Sequence, residues 1–152
     1  MSIFNKKITL FKATNKIEVI PDFSEVTVIE MLKRIKGGDY KDEIEKLRAG
    51  NKDIKTYLPT TAFHGIFEHS RKKENFIEAS GLVILDIDDV EVDNIEEYKS
   101  EIILDSNVAA AMTSPSGDGI KVLYWVNEDL ITADNYRQIG KKIVEGFEVY
   151  GN

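Results

Sequence analysis

There is no cysteine among the 152 residues, so neither a disulfide framework nor a thiolate-held metal can organise this fold. No apolar run approaches the ~20 residues that a membrane-spanning helix requires. The opening "MSIFNKKITLF" lacks the long apolar stretch of a signal peptide, so the expected compartment is the cytoplasm and no membrane partner is expected. No internal repeat or low-complexity tract is visible. A basic excess is missing too: the net charge is −7, which argues against generic, charge-driven adhesion to nucleic acid. A nucleic-acid enzyme remains compatible, because divalent cations can offset acidic groups at a site. With 42% hydrophobic and 31% charged residues, the composition is that of a globular chain with a real core, most simply one domain.

The first half, residues 1–79, reads as a small α/β part. Alternation predicts two strands, "KITLFKA" and "KIEVI", turning at Thr14-Asn15. A helix is expected from Val28, started by a Thr27/Glu30 capping box with Val26 and Met31 as a staple, and stopped by Gly37-Gly38. Tyr40, Ile44 and Leu47 mark a second helix closed by Gly50. Residues 51–79 show little pattern beyond one short strand around "TAFHGIF". From Ser80 the pattern sharpens. Residues 80–88 form a strand, and Asp93 with Glu96 caps a helix that faces inward through Ile95, Tyr98 and Ile102. "NVAAAMT" and "IKVLYWV" are strands joined by "SPSGDG". Thr132 then caps a last helix with Tyr136, Ile139, Ile143 and Phe147 inward. The order β-α-β-β-α is that of an RNA-recognition or ferredoxin-like unit lacking its final strand.

Two stretches carry candidate chemistry. In "GLVILDIDDVEV", strand alternation puts Asp86 and Asp88 on one face while Ile87 points into the core. Two adjacent carboxylates raise each other's pKa unless a cation lies between them, and oxygen-only donors suit Mg²⁺ or Mn²⁺. A strand end fraying into a solvated acidic turn gives the same letters. In "TSPSGDGIKVLYW", Gly117 and Gly119 would let backbone N–H groups approach an anion. Ser114 and Ser116 add hydroxyls there, and Lys121 adds a point charge; a plain hairpin is the simpler alternative. If the two stretches share a sheet, they make a nucleotide site. His64 and His69, five apart, suit neither helical nor strand pairing as metal ligands. Tyr124 and Trp125 read as core and edge packing, with base stacking as the alternative.

At these residues the chain resembles the archaeo-eukaryotic primase, or primase-polymerase, superfamily. It is most similar to the N-terminal domain of virulence-associated protein E-like primase-helicases of bacterial mobile elements and phages. "GLVILDIDDV" resembles an apolar strand ending in D-h-D, and "SPSGDGIKVLYWV" resembles the Ser- and Gly-rich hairpin that ends in a basic residue. Leu58-Pro59-Thr60, Gly65, Phe67, Arg71 and Ser80-Gly81 extend the match over residues 55–150. The resemblance implies a primase-polymerase-like α/β fold, with an N-terminal part over 1–79 and a catalytic half over 80–152. It implies Asp86 and Asp88 as catalytic metal ligands, and Ser114, Ser116, Gly117, Gly119 and Lys121 on the triphosphate. Arg71 is implied on nucleotide or template. The implied reaction is two-metal nucleotidyl transfer using nucleoside triphosphates and a single-stranded template, with a helicase domain or partner alongside. Lys121 stands where relatives often have His. The third acidic ligand would lie on a strand after the last helix, so the chain alone is expected to be inactive. One sheet edge is then expected to lie open, to be covered by residues 7–13 or by a second copy.

Two other classes compete. "DIDDV" also fits the signature of haloacid-dehalogenase-like phosphatases, with Asp86 as nucleophile, Asp88 as acid/base, and Thr113 and Lys121 as the later motifs. The other alternative is a primase-like module that binds without catalysing.

Overall fold

The computed structural model describes residues 2–12 and 22–148, with side chains described through Glu145. The chain divides into two compact units, Met1–Ser80 and Gly81–Asn152. Both are mixed α+β with small antiparallel sheets. No described helix is long and apolar enough to cross a membrane.

In the first unit, β1 (Lys7–Phe11) is the central strand of the sheet β2-β1-β3, between β2 (Phe23–Thr27) and β3 (Thr60–Ala62). Its run Ile8 to Phe11 is buried on both faces, as a central strand requires. The expected partner "KIEVI" lies outside the described residues, and the strand that pairs with β1 is the unforeseen β2. Residues 7–11 are thus paired along both edges within their own sheet. Helices α1 (Val28–Gly37) and α2 (Lys41–Arg48) follow. The capping box forms in full, and Gly38 closes α1 in the left-handed region at φ +84°. "TAFHGIF" is two strands, β3 and β4 (Gly65–Phe67), broken by a turn at Phe63-His64. Its two central residues are neither Gly, Pro nor Asn, and Phe63 is buried, so Gly65 at the last turn position is the one turn signal present. β4 pairs with β5 (Phe76–Ala79). The two sheets are tied through Thr9, whose buried hydroxyl accepts the Phe67 N–H at 2.9 Å.

The second unit runs β6 (Leu82–Ile87), α3 (Ile95–Ile102), β7 (Val108–Thr113), β8 (Ile120–Trp125) and α4 (Tyr136–Glu148). Its antiparallel sheet has the order β6-β8-β7, so the acidic strand lies directly against the second arm of the hairpin. β6 ends where Asp89 turns into the left-handed region at φ +57°. The cap expected at Asp93 is absent. A 3-10 turn over Val92–Asn94 runs straight into α3, so no side chain caps that helix. Tyr98, expected to face inward, is exposed. Before α4, the Thr132 carbonyl accepts the Tyr136 N–H at 3.2 Å, and the Asn135 side chain accepts the Thr132 N–H at 2.7 Å and donates to the Leu130 carbonyl at 2.8 Å.

The outer edge of β6 is not bare. Val126 N–H donates to the Gly81 carbonyl at 2.8 Å, which fixes every second residue from Gly81 as bonded to β8. Ile84 therefore directs its carbonyl away from β8. There it meets α4: a Cβ on Gly140 would stand 3.0 Å from that oxygen.

Candidate functional site

Register sets the site. Asp86 lies opposite Lys121 and Lys121 opposite Met112, so these three share one face of the second unit's sheet. By the same alternation Asp86–Lys121 is a non-bonded pair, the arrangement that brings cross-strand side chains closest. Lys121 Nζ donates to Asp86 Oδ1. The Lys121 side chain is 34% exposed and that of Asp86 52%, so the ion pair faces water and is worth about 0–1 kcal/mol.

Gly119 is the centre of the cluster. A Cβ there would lie 2.7 Å from the Ile87 carbonyl oxygen, 3.4 Å from Ser114 Oγ and 3.5 Å from Asp88 Oδ1. The glycine is required because β6 crosses too closely for any side chain. Ser114 and Asp88 border the same bare backbone. Asp88 lies just past the strand and is exposed. Asp86, Asp88, Ser114 and Lys121 thus collect around one stretch of bare backbone.

The loop itself is more committed than its letters suggest. Ser114 N–H donates to the Gly119 carbonyl at 2.8 Å, and Gly117 N–H donates to the Ser114 carbonyl at 3.0 Å. Gly117, at φ +90°, answers to turn geometry. Ser114 and Ser116 hydroxyls lie 3.2 Å apart, and Ser116 Oγ donates to Asp118 Oδ1 at 2.6 Å. The Asp118 carbonyl in turn accepts Val90 N–H at 2.9 Å, which ties the loop to the segment after β6. No sequence motif singles out Asp118, yet it is the residue that holds this loop.

Arg71 belongs to the first unit, on an exposed bend between β4 and β5. The Ser70 hydroxyl organises that bend, accepting from Asn75 Nδ2 at 2.7 Å and from Lys72 N–H at 3.4 Å. His64 packs edge-on against Phe67 and His69 against Phe23, so the two rings serve different clusters. Trp125 is half exposed rather than core. Tyr124 is part-buried, and its hydroxyl accepts from Asn107 Nδ2 at 3.1 Å. Thr113 lies in register with Ile120 and Ile87, hence on the opposite face from Asp86. Thr113, which the phosphatase reading needs beside Asp86, therefore lies apart from Asp86 and Lys121.

Among the described residues, no three His, Cys, Asp or Glu side chains converge as a metal site. Two carboxylates still fit Mg²⁺ or Mn²⁺, because such ions commonly take one or two protein carboxylates and complete their shell with water and phosphate oxygens.

The profile of the BT4734-like N-terminal domain family matches residues 53–147, more than half of the chain. No curated protein and no solved structure matches it. The chain belongs to the BT4734-like N-terminal domain family.

Proposed function

We propose that this BT4734-like N-terminal domain binds a nucleoside triphosphate with a divalent cation, as the nucleotide-binding part of a primase-polymerase-like replication protein. One observation carries the reading: Asp86, Asp88, Ser114 and Lys121 collect around the bare backbone of Gly119 at one end of an antiparallel sheet. The β-α-β-β-α order and the resemblance at both motifs support it. In this reading Asp86 and Asp88 hold Mg²⁺ or Mn²⁺, and Lys121 with the Ser114 hydroxyl takes phosphate oxygens. Ser116, Gly117 and Gly119 shape the loop. Arg71, on the first unit, serves single-stranded template, and a helicase domain or partner acts alongside. A bound divalent ion neutralises the carboxylates and the triphosphate, the general requirement for attack of a 3′-hydroxyl with pyrophosphate leaving. The chain's residues hold the phosphates in place and keep the charges balanced. The placement of Thr113 on the other sheet face favours this reading over the phosphatase. A binding module without catalysis uses the same residues for the same ligand.

Calorimetric titration of nucleoside triphosphates in the presence of Mn²⁺ tests it. The wild-type chain is expected to bind, and the Asp86→Asn/Asp88→Asn double variant to lose binding while keeping its melting transition. Equal affinity in the two proteins would sink the assignment.

A further inference from the structure

The Lys121–Asp86 contact joins the group proposed for phosphate to a group proposed for metal. Each occupies the other's charge. Lys121 Nζ donates to Asp86 Oδ1, and the non-bonded cross-strand register holds the two side chains at the closest spacing a sheet offers. A cation arriving alone therefore meets one carboxylate already neutralised and an ammonium group beside it. A phosphate arriving alone meets an ammonium already paired, with Asp88 across Gly119 and Asp118 in the loop as further negative charges. Neither ligand gains much by itself.

We propose that this pair is an exchange latch that makes the site take divalent cation and polyphosphate together. Lys121 gives up Asp86 for phosphate oxygens, and the released Asp86 carboxylate turns to the cation. Each ligand supplies the charge that the other removes from the pair. The exposed setting of both side chains makes the swap cheap. Only the Nζ–Oδ1 contact has to break, and the strands need not move. By linkage, the factor by which polyphosphate tightens cation binding equals the factor by which cation tightens polyphosphate binding. The inference rests on the nucleotide-and-metal reading above and adds the order of events within that site.

The test uses Mn²⁺ alone, inorganic tripolyphosphate alone, and both together, on the full chain. Binding is read by calorimetry and by the electron-spin signal of free Mn²⁺. The variants are Lys121→Gln and Lys121→Arg, with a metal-free melt of each to establish that it folds. In the wild type, tripolyphosphate is expected to tighten Mn²⁺ at least about fivefold beyond its own chelation, the low end of ordinary coupling. Lys121→Gln frees Asp86, so Mn²⁺ alone should bind more tightly than to wild type and the coupling should collapse. Lys121→Arg keeps the charge and should retain the coupling, which covers the case in which Lys121→Gln fails to fold: a folded Lys121→Arg without coupling overturns the latch. Mn²⁺ binding that is the same in wild type and Lys121→Gln, with coupling intact, also overturns the latch and leaves the site reading standing. No Mn²⁺ binding to any of the proteins, with or without tripolyphosphate, overturns both.

Discussion

Thr27 and Glu30 hold the start of α1 by bonds in both directions. Glu30 N–H donates to Thr27 Oγ1 at 3.3 Å, and Thr27 N–H donates to Glu30 Oε2 at 2.7 Å. The backbone bond from Thr27, then the Thr27 hydroxyl, holds the Glu30 carboxyl below the usual carboxylate range. A depressed acid stabilises the fold above its unfolded-state pKa, and that contribution disappears as pH falls through the folded value. Carboxyl chemical shifts followed through an acid titration should place Glu30 low. Thr27→Ala should move it only partway back, because the residue-27 N–H still donates. An ordinary titration in the wild type would refute the box. At Thr9, the wholly buried hydroxyl accepts the Phe67 N–H. Thr9→Val keeps the shape but strands that N–H, and should cost about 1–3 kcal/mol in urea unfolding. A loss under a few tenths would mean that the N–H finds another acceptor. The capping box was legible because both partners fall within three residues. Thr9 was not, since its partner is 58 residues away. Asp93 shows the converse: a cap-forming residue type stood in a 3-10 turn that took over the helix start.

Among the elements, β6, β7, β8 and their shared sheet were readable because long apolar runs bounded by turn residues leave few alternatives. The shared face of Asp86 and Asp88 followed from period-two alternation, whereas Ser114 and Lys121 were named from the loop's residue types. The split between β3 and β4 and the placement of α4 against the β6 edge were not readable. The β3–β4 turn falls on Phe63-His64, residues with no turn preference, and the approach of α4 depends on backbone meeting Gly140, where a sequence gives no sign of which glycine is closely approached. The same fact makes the glycines unequal under substitution. Gly65→Ala would put a Cβ 2.2 Å from the Glu78 carbonyl oxygen, and Gly119→Ala 2.7 Å from that of Ile87. Each should destabilise by about 1–3 kcal/mol as the strands are forced apart. Gly37, in the last turn of α1, has only Asp39 Oδ1 at 3.7 Å, so Gly37→Ala should be neutral or stabilise by up to about 1 kcal/mol. Denaturant midpoints of the three variants give the ranking. A Gly119→Ala protein as stable as Gly37→Ala would show that β6 and the loop give way freely, and the crowding argument for Gly119 would fall.

Over the whole molecule, the net charge of −7 conceals a division between the two units, whose boundary after Ser80 lies within one residue of the place where the sequence pattern sharpens. Residues 1–80 hold fifteen Lys and Arg against twelve Asp and Glu, a net of +3, whereas residues 81–152 hold five against fifteen, a net of −10. A polyanion is therefore drawn to the first unit and repelled by the second, outside the few charges that a bound cation would offset. On the proposed function, single-stranded nucleic acid should be held chiefly by the first unit. Arg71, Lys72 and Lys73, all exposed on the bend between β4 and β5, are the side chains to test. Changing the three to Gln should weaken binding of a single-stranded oligonucleotide to a similar degree for every sequence. It should also flatten the dependence of log K on log salt by about 2, near 0.7 for each phosphate that is no longer neutralised. Lys141→Gln with Lys142→Gln removes two exposed charges from the acidic unit and should leave both affinity and slope unchanged. Fluorescence anisotropy across a salt series measures both quantities. If the Lys141/Lys142 pair carried the salt slope and the Arg71 cluster did not, the Arg71 cluster would be solvated charge, and the oligonucleotide would have to be held by the acidic unit through its cations.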